Sequence, residues 1–234
     1  MSTLSHKNLD TFIYLLIIIL SVNVKVIHNP VKILVFEDIF SKQVNQKIYK
    51  EAISLEKKFE DSVIGKGLDK NFRSNKTCYY DTVYSDRSKS ALLSSVDSLY
   101  SGNKEFRETI ISFGYPFSFF DSTNRHETQV SNYGRQNETY KYHIDKMGNS
   151  TRAITFVYYF FKEPKQFQGG EIEFTNSPIH DGIPVDKKYK KITLKPKNNM
   201  GVIFDSSTAH HVRSTTSKDF KSGRFSVNSW IGFK

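Results

Sequence analysis

Apolar positions recur at helical spacing in the first half of the chain and in short alternating runs in the second, with the change near Thr128. Val44, Ile48, Ala52, Leu55 and Phe59 share one face of a helix with Ser41 as N-cap, and Lys and Glu occupy the other face. Leu92, Leu93, Val96 and Leu99 predict a second helix ending at Ser101-Gly102. Phe106, Ile110 and Ile111 predict another short one, closed by Gly114 and Pro116. Ahead of these, Val31 to Phe36 reads as a β-rich segment between Pro30 and the turn-forming Glu37-Asp38. From Asp61 to Ser90 the period fades into Gly, Asn, Ser and Asp interleaved with Tyr79, Tyr80 and Tyr84, which predicts a long loop or lid.

From Thr128 on, β-branched and aromatic runs alternate with turn residues. The expected strands are Val130 to Tyr133, Tyr140 to Ile144, Ala153 to Phe161, Glu171 to Phe174, Lys191 to Leu194, Gly201 to Phe204, His211 to Val212 and Arg224 to Gly232. So many short strands in about a hundred residues predict an antiparallel sandwich or barrel. Gly169-Gly170 and Lys197-Asn198-Asn199 suit the connections, because these residue types accept turn dihedrals. The fold class expected is mainly β with flanking N-terminal helices.

Composition bounds the chemistry. A chain of 234 residues that is 38% hydrophobic and 14% aromatic is globular and fits one folded domain, taken as residues 30–234 after an apolar segment at 1–29. In that segment, Phe12 to Leu20 is shorter than the roughly 20 residues of a spanning helix and lacks a strongly positive lead or a clean cleavage site. The expectation is a cytoplasmic protein in which this run packs on the domain. The alternative is a signal or a membrane tether through residues 11–24. The lone Cys78 excludes an internal disulfide, and without a Cys cluster any metal must sit on His and carboxylate groups. A net charge of +10 favours acidic partners in general, and the cluster Lys187-Lys188-Tyr189-Lys190-Lys191 reads as a solvated loop.

His143 and Asp145 are two residues apart in an expected strand, so their side chains share a face. A second imidazole in Ala209-His210-His211-Val212 would complete two histidines and one carboxylate, a facial set that leaves half of an iron(II) octahedron open. Alone, an H-x-D spacing is expected about 0.4 times by chance in such a chain, so its context decides. His6, His28, His126 and His180 have no such context.

That context is an ordered series: Tyr133-Gly134, Tyr140-x-x-His143-x-Asp145, Val157-Tyr158-Tyr159, Gly169-Gly170-Glu171-Ile172-Glu173-Phe174, Gly201-Val202-Ile203-Phe204, His210-x-Val212, and Gly223-Arg224-Phe225-Ser226 with Trp230. It resembles the iron(II)- and 2-oxoglutarate-dependent dioxygenases, in their prolyl 4-hydroxylase-like branch, over about the last hundred residues. The resemblance implies a double-stranded β-helix, or jelly roll, over about residues 128–234, buttressed by the preceding helices. It implies iron(II), 2-oxoglutarate and dioxygen as cofactor and cosubstrates, with ascorbate as an optional addition. By position, His143, Asp145 and His210 become the iron ligands, and His211 competes with His210 for the third place. Arg224 becomes the cation for the distal carboxylate of 2-oxoglutarate, with Tyr133 beside it and Tyr159 and Thr155 lining the same pocket. The gap between His210 and Arg224 is longer than in most members and contains Lys221, a weaker alternative cation.

The activity implied is hydroxylation of an unactivated C–H bond, first of a prolyl residue in a protein or peptide and alternatively of a free amino acid or small metabolite. A nucleic-acid dealkylase fits less well, because such enzymes typically add a second arginine after the cosubstrate arginine and Arg224 is the last one here. A noncatalytic jelly-roll binding module is disfavoured by retention of the ligand set and the arginine. The segment 61–90 is expected to select the substrate. Membrane association and oligomeric state are left open.

Overall fold

The computed structural model describes residues 23–232 apart from 66, 113, 115–124, 147 and 149; the apolar run Phe12 to Leu20 lies outside the described residues. Among the described residues no helix is long and apolar enough to cross a membrane.

The strands in chain order are β1 (Asn23–Ile27), β2 (Ile33–Glu37), β3 (Glu60–Asp61), β4 (Lys76–Tyr79), β5 (Arg125–Tyr133), β6 (Glu138–His143), β7 (Arg152–Phe160), β8 (Gln168–Gly169), β9 (Ile172–Thr175), β10 (Ile179–His180), β11 (Ile183–Pro184), β12 (Lys191–Leu194), β13 (Met200–Asp205), β14 (Ala209–Thr216) and β15 (Arg224–Gly232). They form an eight-stranded sheet in the order β1-β2-β13-β7-β15-β5-β4-β3, a smaller sheet in the order β12-β9-β14-β6 with β8 added to β14, and a separate two-stranded ribbon of β10 and β11. The ladders between named strands are antiparallel. The two sheets together are the jelly roll that the family resemblance implied.

The pleat of the large sheet explains why its central strands read as nearly continuous apolar runs. Along β7, Ile154, Phe156, Tyr158 and Phe160 belong to the core under the helices, while Val157 and Tyr159 belong to the core between the sheets. A strand buried on both faces loses the apolar and polar alternation that a half-exposed strand shows. The helices α1 (Lys42–Ser54), α3 (Ala91–Gly102) and α4 (Lys104–Ser112) supply Ile48, Ala52, Leu92, Leu93, Val96, Phe106 and Ile110 to the outer core. Ser41 caps α1 by accepting from the Val44 amide, and Ser90 caps α3 from Leu93. Leu55 and Phe59 lie past the end of α1, where the chain tightens into a 3-10 turn over Glu56–Lys58.

The segment expected as an open loop is more ordered than its composition suggested. Lys76–Tyr79 forms β4 in the large sheet, paired with β5, and runs into the short helix α2 (Tyr80–Val83). Asp81 caps this region from inside: its carboxylate accepts from the Thr128 amide and pairs with Arg87, which also holds Asp97. Residues 72–74 hydrogen-bond to β6, with the Lys141 amide on the Phe72 carbonyl at 2.9 Å and the Ser74 amide on the Thr139 carbonyl at 3.1 Å. The strand β1 at 23–27 lies in the segment 1–29, where a helix or strand packing on the domain is one expectation, and it pairs in full register with β2.

Candidate active site

His143 is the last residue of β6 and His210 the second of β14, and the two strands pair these residues directly. The imidazole centroids lie 4.1 Å apart. Each ring is held by the same device. His143 Nδ1 lies 2.8 Å from the Lys141 carbonyl, and His210 Nδ1 lies 2.9 Å from the Thr208 carbonyl. A carbonyl only accepts, so each Nδ1 carries the proton and each Nε2 is left with a free lone pair. Asp145 lies just past β6, its Oδ1 3.9 Å from His143 Nε2 and its Oδ2 3.7 Å from His210 Nε2. The three side chains offer ligand atoms that all lie within 4.8 Å of one another. Burial, with the His210 ring as the second cause, holds the His143 imidazole well below its ordinary pKa, which keeps it neutral and able to coordinate.

Alternation along β14 settles the geometry of the adjacent histidines. His211 turns to the opposite face, where its ring stands 5.1 Å from Tyr142 and its Nε2 lies 3.4 Å from Thr139 Oγ1. It does not join the cluster.

Asp145 is anchored by its backbone and by its side chain. The Asp145 and Lys146 amides both donate to the Ser206 carbonyl at 2.9 Å. Its Oδ2 accepts from Thr155 Oγ1 at 2.7 Å, and that hydroxyl also lies 3.0 Å from Ser206 Oγ. Thr155 shares a strand face with Tyr159, as expected, but its hydroxyl is engaged by the carboxylate of the cluster and not by a cosubstrate pocket. Groups that orient a metal ligand typically change metal affinity by about 10–100-fold when removed. Thr155→Val should therefore weaken iron(II) or manganese(II) binding within that range while the fold persists, measured by anaerobic calorimetry. Unchanged affinity would reduce Thr155 to a packing residue.

Deeper in the barrel, Arg224 is 1% exposed. It pairs across the sheet with Tyr133 of β5, and β7 on its other side contributes Tyr159. The guanidinium carbon lies 4.7 Å from each of those two rings. Its Nη1 reaches Ser226 Oγ at 3.3 Å, but its Nε and the Tyr159 hydroxyl have no hydrogen-bond partner. Burial raises both phenols above their ordinary pKa, and the Arg224 charge opposes that rise in each. No carboxylate pairs with Arg224 among the described residues. A buried cation with a free donor fits an acidic ligand that forks onto it. Lys221, the alternative cation, is exposed.

The Gly169-Gly170 pair makes room for this arginine. Both residues have positive φ, +70° and +75°. A Cβ on Gly170 would stand 2.6 Å from Arg224 Cδ and 2.9 Å from Thr215 Oγ1. Gly170→Ala should lower the melting temperature, since a left-handed backbone costs an alanine about 1–2 kcal/mol. By displacing Arg224, it should also weaken binding of 2-oxoglutarate more than binding of metal, measured by titrating each in turn. Equal binding of both would show that Arg224 tolerates the extra methyl.

The cluster opens on a cleft of about 510 Å³, lined by Asp145, Tyr140, Arg73, Arg152, Tyr79 and Trp230 among others. Tyr140 stacks on the His143 ring at 3.5 Å and 13°. On one wall, Arg152 pairs with Glu127 and lies 3.7 Å from the Trp230 ring. Ser206 and Arg73 were not singled out from the sequence, and Tyr140 entered only as the first residue of the Tyr140-x-x-His143-x-Asp145 pattern, without a role of its own. Ser206 and Arg73 belong to connections without periodicity, while Ser226 was findable, two residues after Arg224 on the same strand face.

Residues 128–232 match the family described as 2OG-Fe(II) oxygenase superfamily. An uncharacterized PKHD-type hydroxylase from Synechocystis sp. is 39% identical over 97 residues, covering 39% of this chain and 31% of that relative, so the match spans about a third of the relative's length. Among solved structures, a prolyl hydroxylase from Trichoplax adhaerens, in complex with a hypoxia inducible factor oxygen degradation domain peptide fragment, superposes with a TM-score of 0.62. Its identity is 14%, over 86% of this chain and 83% of that one. A prolyl-4-hydroxylase from Pseudomonas putida gives 0.57 at 14% identity, over 86% and 92%. Residues 128–232 thus carry the sequence pattern of the 2OG-Fe(II) oxygenase superfamily, on a fold like that of the prolyl hydroxylases.

Proposed function

We propose that this protein is an iron(II)- and 2-oxoglutarate-dependent hydroxylase whose substrate is a prolyl residue of a peptide or protein. The observation that carries the reading is the pairing of two complementary donor sets: three convergent ligand atoms on His143, Asp145 and His210, and a buried Arg224 guanidinium with no acid partner among the described residues. Iron(II) would sit on the first, and the distal carboxylate of 2-oxoglutarate would sit on the second, between Tyr133 and Tyr159. Bound there, the metal supplies dioxygen activation coupled to decarboxylation: substrate C–H, dioxygen and 2-oxoglutarate become C–OH, succinate and carbon dioxide.

The chain's own part is binding, orientation and exclusion of water. Lys141 and Thr208 carbonyls fix the two imidazoles, Thr155 fixes the carboxylate, and the aromatic rings of Tyr140, Phe174 and Phe204 wall in the histidines. A prolyl residue within a chain is favoured over a free metabolite by the size of the cleft, which extends past Val63 and Tyr79, both exposed at its edge. The Trichoplax neighbour, in complex with a peptide fragment, supports the same reading by its fold. Purified protein given iron(II), 2-oxoglutarate, ascorbate and a library of proline-containing peptides should yield succinate together with a one-oxygen gain on proline. Succinate released without any modified peptide would move the substrate to the small-molecule class.

A further inference from the structure

Arg73 and Arg224 are the two buried arginines among the described residues, at 7% and 1% exposure. The proposed cosubstrate accounts for Arg224 and leaves Arg73 unexplained. The Arg73 side chain is held by neutral groups: Nε donates to Asn75 Oδ1 at 2.9 Å, and Nη2 donates to Gln129 Oε1 at 2.7 Å and to Ser131 Oγ at 3.4 Å. No carboxylate among the described residues forms an ion pair with it. Three other arginines are matched by carboxylates: Arg87 by Asp81 and Asp97, Arg135 by Asp61 and Glu138, and Arg152 by Glu127.

Position makes the imbalance informative. Arg73 lies opposite Tyr140 in an isolated bridge to β6, and its guanidinium covers the Tyr140 ring at 4.4 Å. The same ring stacks on His143. Arg73 therefore lines the cleft one aromatic ring away from the candidate metal ligands. Charge counting excludes the metal and cosubstrate as its partner. Iron(II), the Asp145 carboxylate, the 2-oxoglutarate dianion and Arg224 neutralise one another, and Arg152 cancels Glu127. One cation is left over in the cleft, and burying a cation without an anion is costly unless a ligand supplies the anion.

We propose that Arg73 receives a carboxylate of the substrate, so that the hydroxylated C–H bond lies close to an acidic group; this rests on the hydroxylase reading above. The guanidinium is preorganised by its three neutral partners and by Tyr140, and Nη1, which none of those three hydrogen bonds uses, is the donor it keeps for a charge-assisted bond to a carboxylate. The carboxylate has two possible sources, an acidic residue flanking the target proline in a peptide or the carboxylate of a free amino acid.

The test is binding to protein loaded with manganese(II) and 2-oxoglutarate, which needs no turnover. One arm compares a proline-centred peptide carrying Glu beside the proline with its Gln counterpart. The other compares L-proline with L-prolinamide. In at least one arm the acid should bind about tenfold more tightly than its amide, as a charge-assisted pair requires. Arg73→Gln should bring acid and amide close to parity, and Arg73→Lys should keep part of the preference. Comparing acid with amide in the same variant cancels any general loss of stability. The proposal is overturned if neither arm separates acid from amide, or if the preference survives in Arg73→Gln. It is also overturned if Arg73→Gln weakens 2-oxoglutarate itself as strongly as the acid. Failure of the hydroxylase reading shows separately, as absence of 2-oxoglutarate binding in the wild-type protein.

Discussion

Replacing Asp145 by Asn should leave the protein folded and remove its affinity for iron(II), together with the visible absorption that iron(II) and 2-oxoglutarate produce jointly. The substitution keeps shape: the amide oxygen can still accept from Thr155, and the two backbone bonds to Ser206 are untouched. What it removes is the one anionic ligand in a set whose other members are neutral imidazoles, and a divalent cation needs that charge. The readout can be thermal as well as spectroscopic. A ligand at a hundred times its dissociation constant stabilises the folded state by about 2.7 kcal/mol, which in a domain of this size raises the melting temperature by about 5–10 °C. Anaerobic iron(II) or manganese(II) should produce that rise in the wild-type protein and almost none in Asp145→Asn, His143→Ala or His210→Ala. His211→Ala, altered on the far face of β14, should respond like the wild type. An undiminished rise in Asp145→Asn would remove Asp145 from the ligand set.

The distinction between His210 and His211 shows what could be read from sequence and what could not. Strand alternation separates adjacent residues onto opposite faces, but choosing the inner one required the family spacing to Val212; the structure supplies the choice through the register of His210 against His143. The helices were legible because their apolar stripes face a single core, and β15 because Phe225, Val227 and Trp230 announce burial around Arg224. The order of β4 was not. Lys76-Thr77-Cys78-Tyr79 buries only Cys78, so its place in the sheet depends on hydrogen bonds to β5 that leave no hydrophobic trace. Thr155 was placed on the correct strand face without its partner being visible, because Asp145 reaches it from a loop whose path is set by Ser206, sixty residues downstream. Arg73 is the extreme case. Its surroundings are assembled from Asn75, Gln129, Ser131 and Tyr140, which come together only when residues 72–74 close over β6.

Arg224→Met should separate stability from cosubstrate binding by moving them in opposite directions. In the ligand-free protein the guanidinium is buried at 1% exposure, with Nε unsatisfied and a single side-chain hydrogen bond to Ser226. Replacing a buried ion pair by apolar side chains of similar volume is often neutral or stabilising by about 1–4 kcal/mol, and a buried guanidinium with no acid to pair it recovers still less of its desolvation cost. Met fits the channel between Tyr133 and Tyr159 and adapts to irregular space. The ligand-free variant should therefore melt several degrees above the wild type. With 2-oxoglutarate the order should reverse, because the variant leaves the distal carboxylate buried without its cation, a loss of about 3–5 kcal/mol, or roughly 10²–10³-fold or more in affinity. Metal binding, which uses a different set of side chains, should change little. Arg224→Lys keeps the charge but loses the forked geometry and the stacking on two rings, so its 2-oxoglutarate affinity should fall between the two. A Met variant that melts below the wild type and still binds 2-oxoglutarate at full strength would assign Arg224 to the architecture of the barrel and leave the cosubstrate without its anchor.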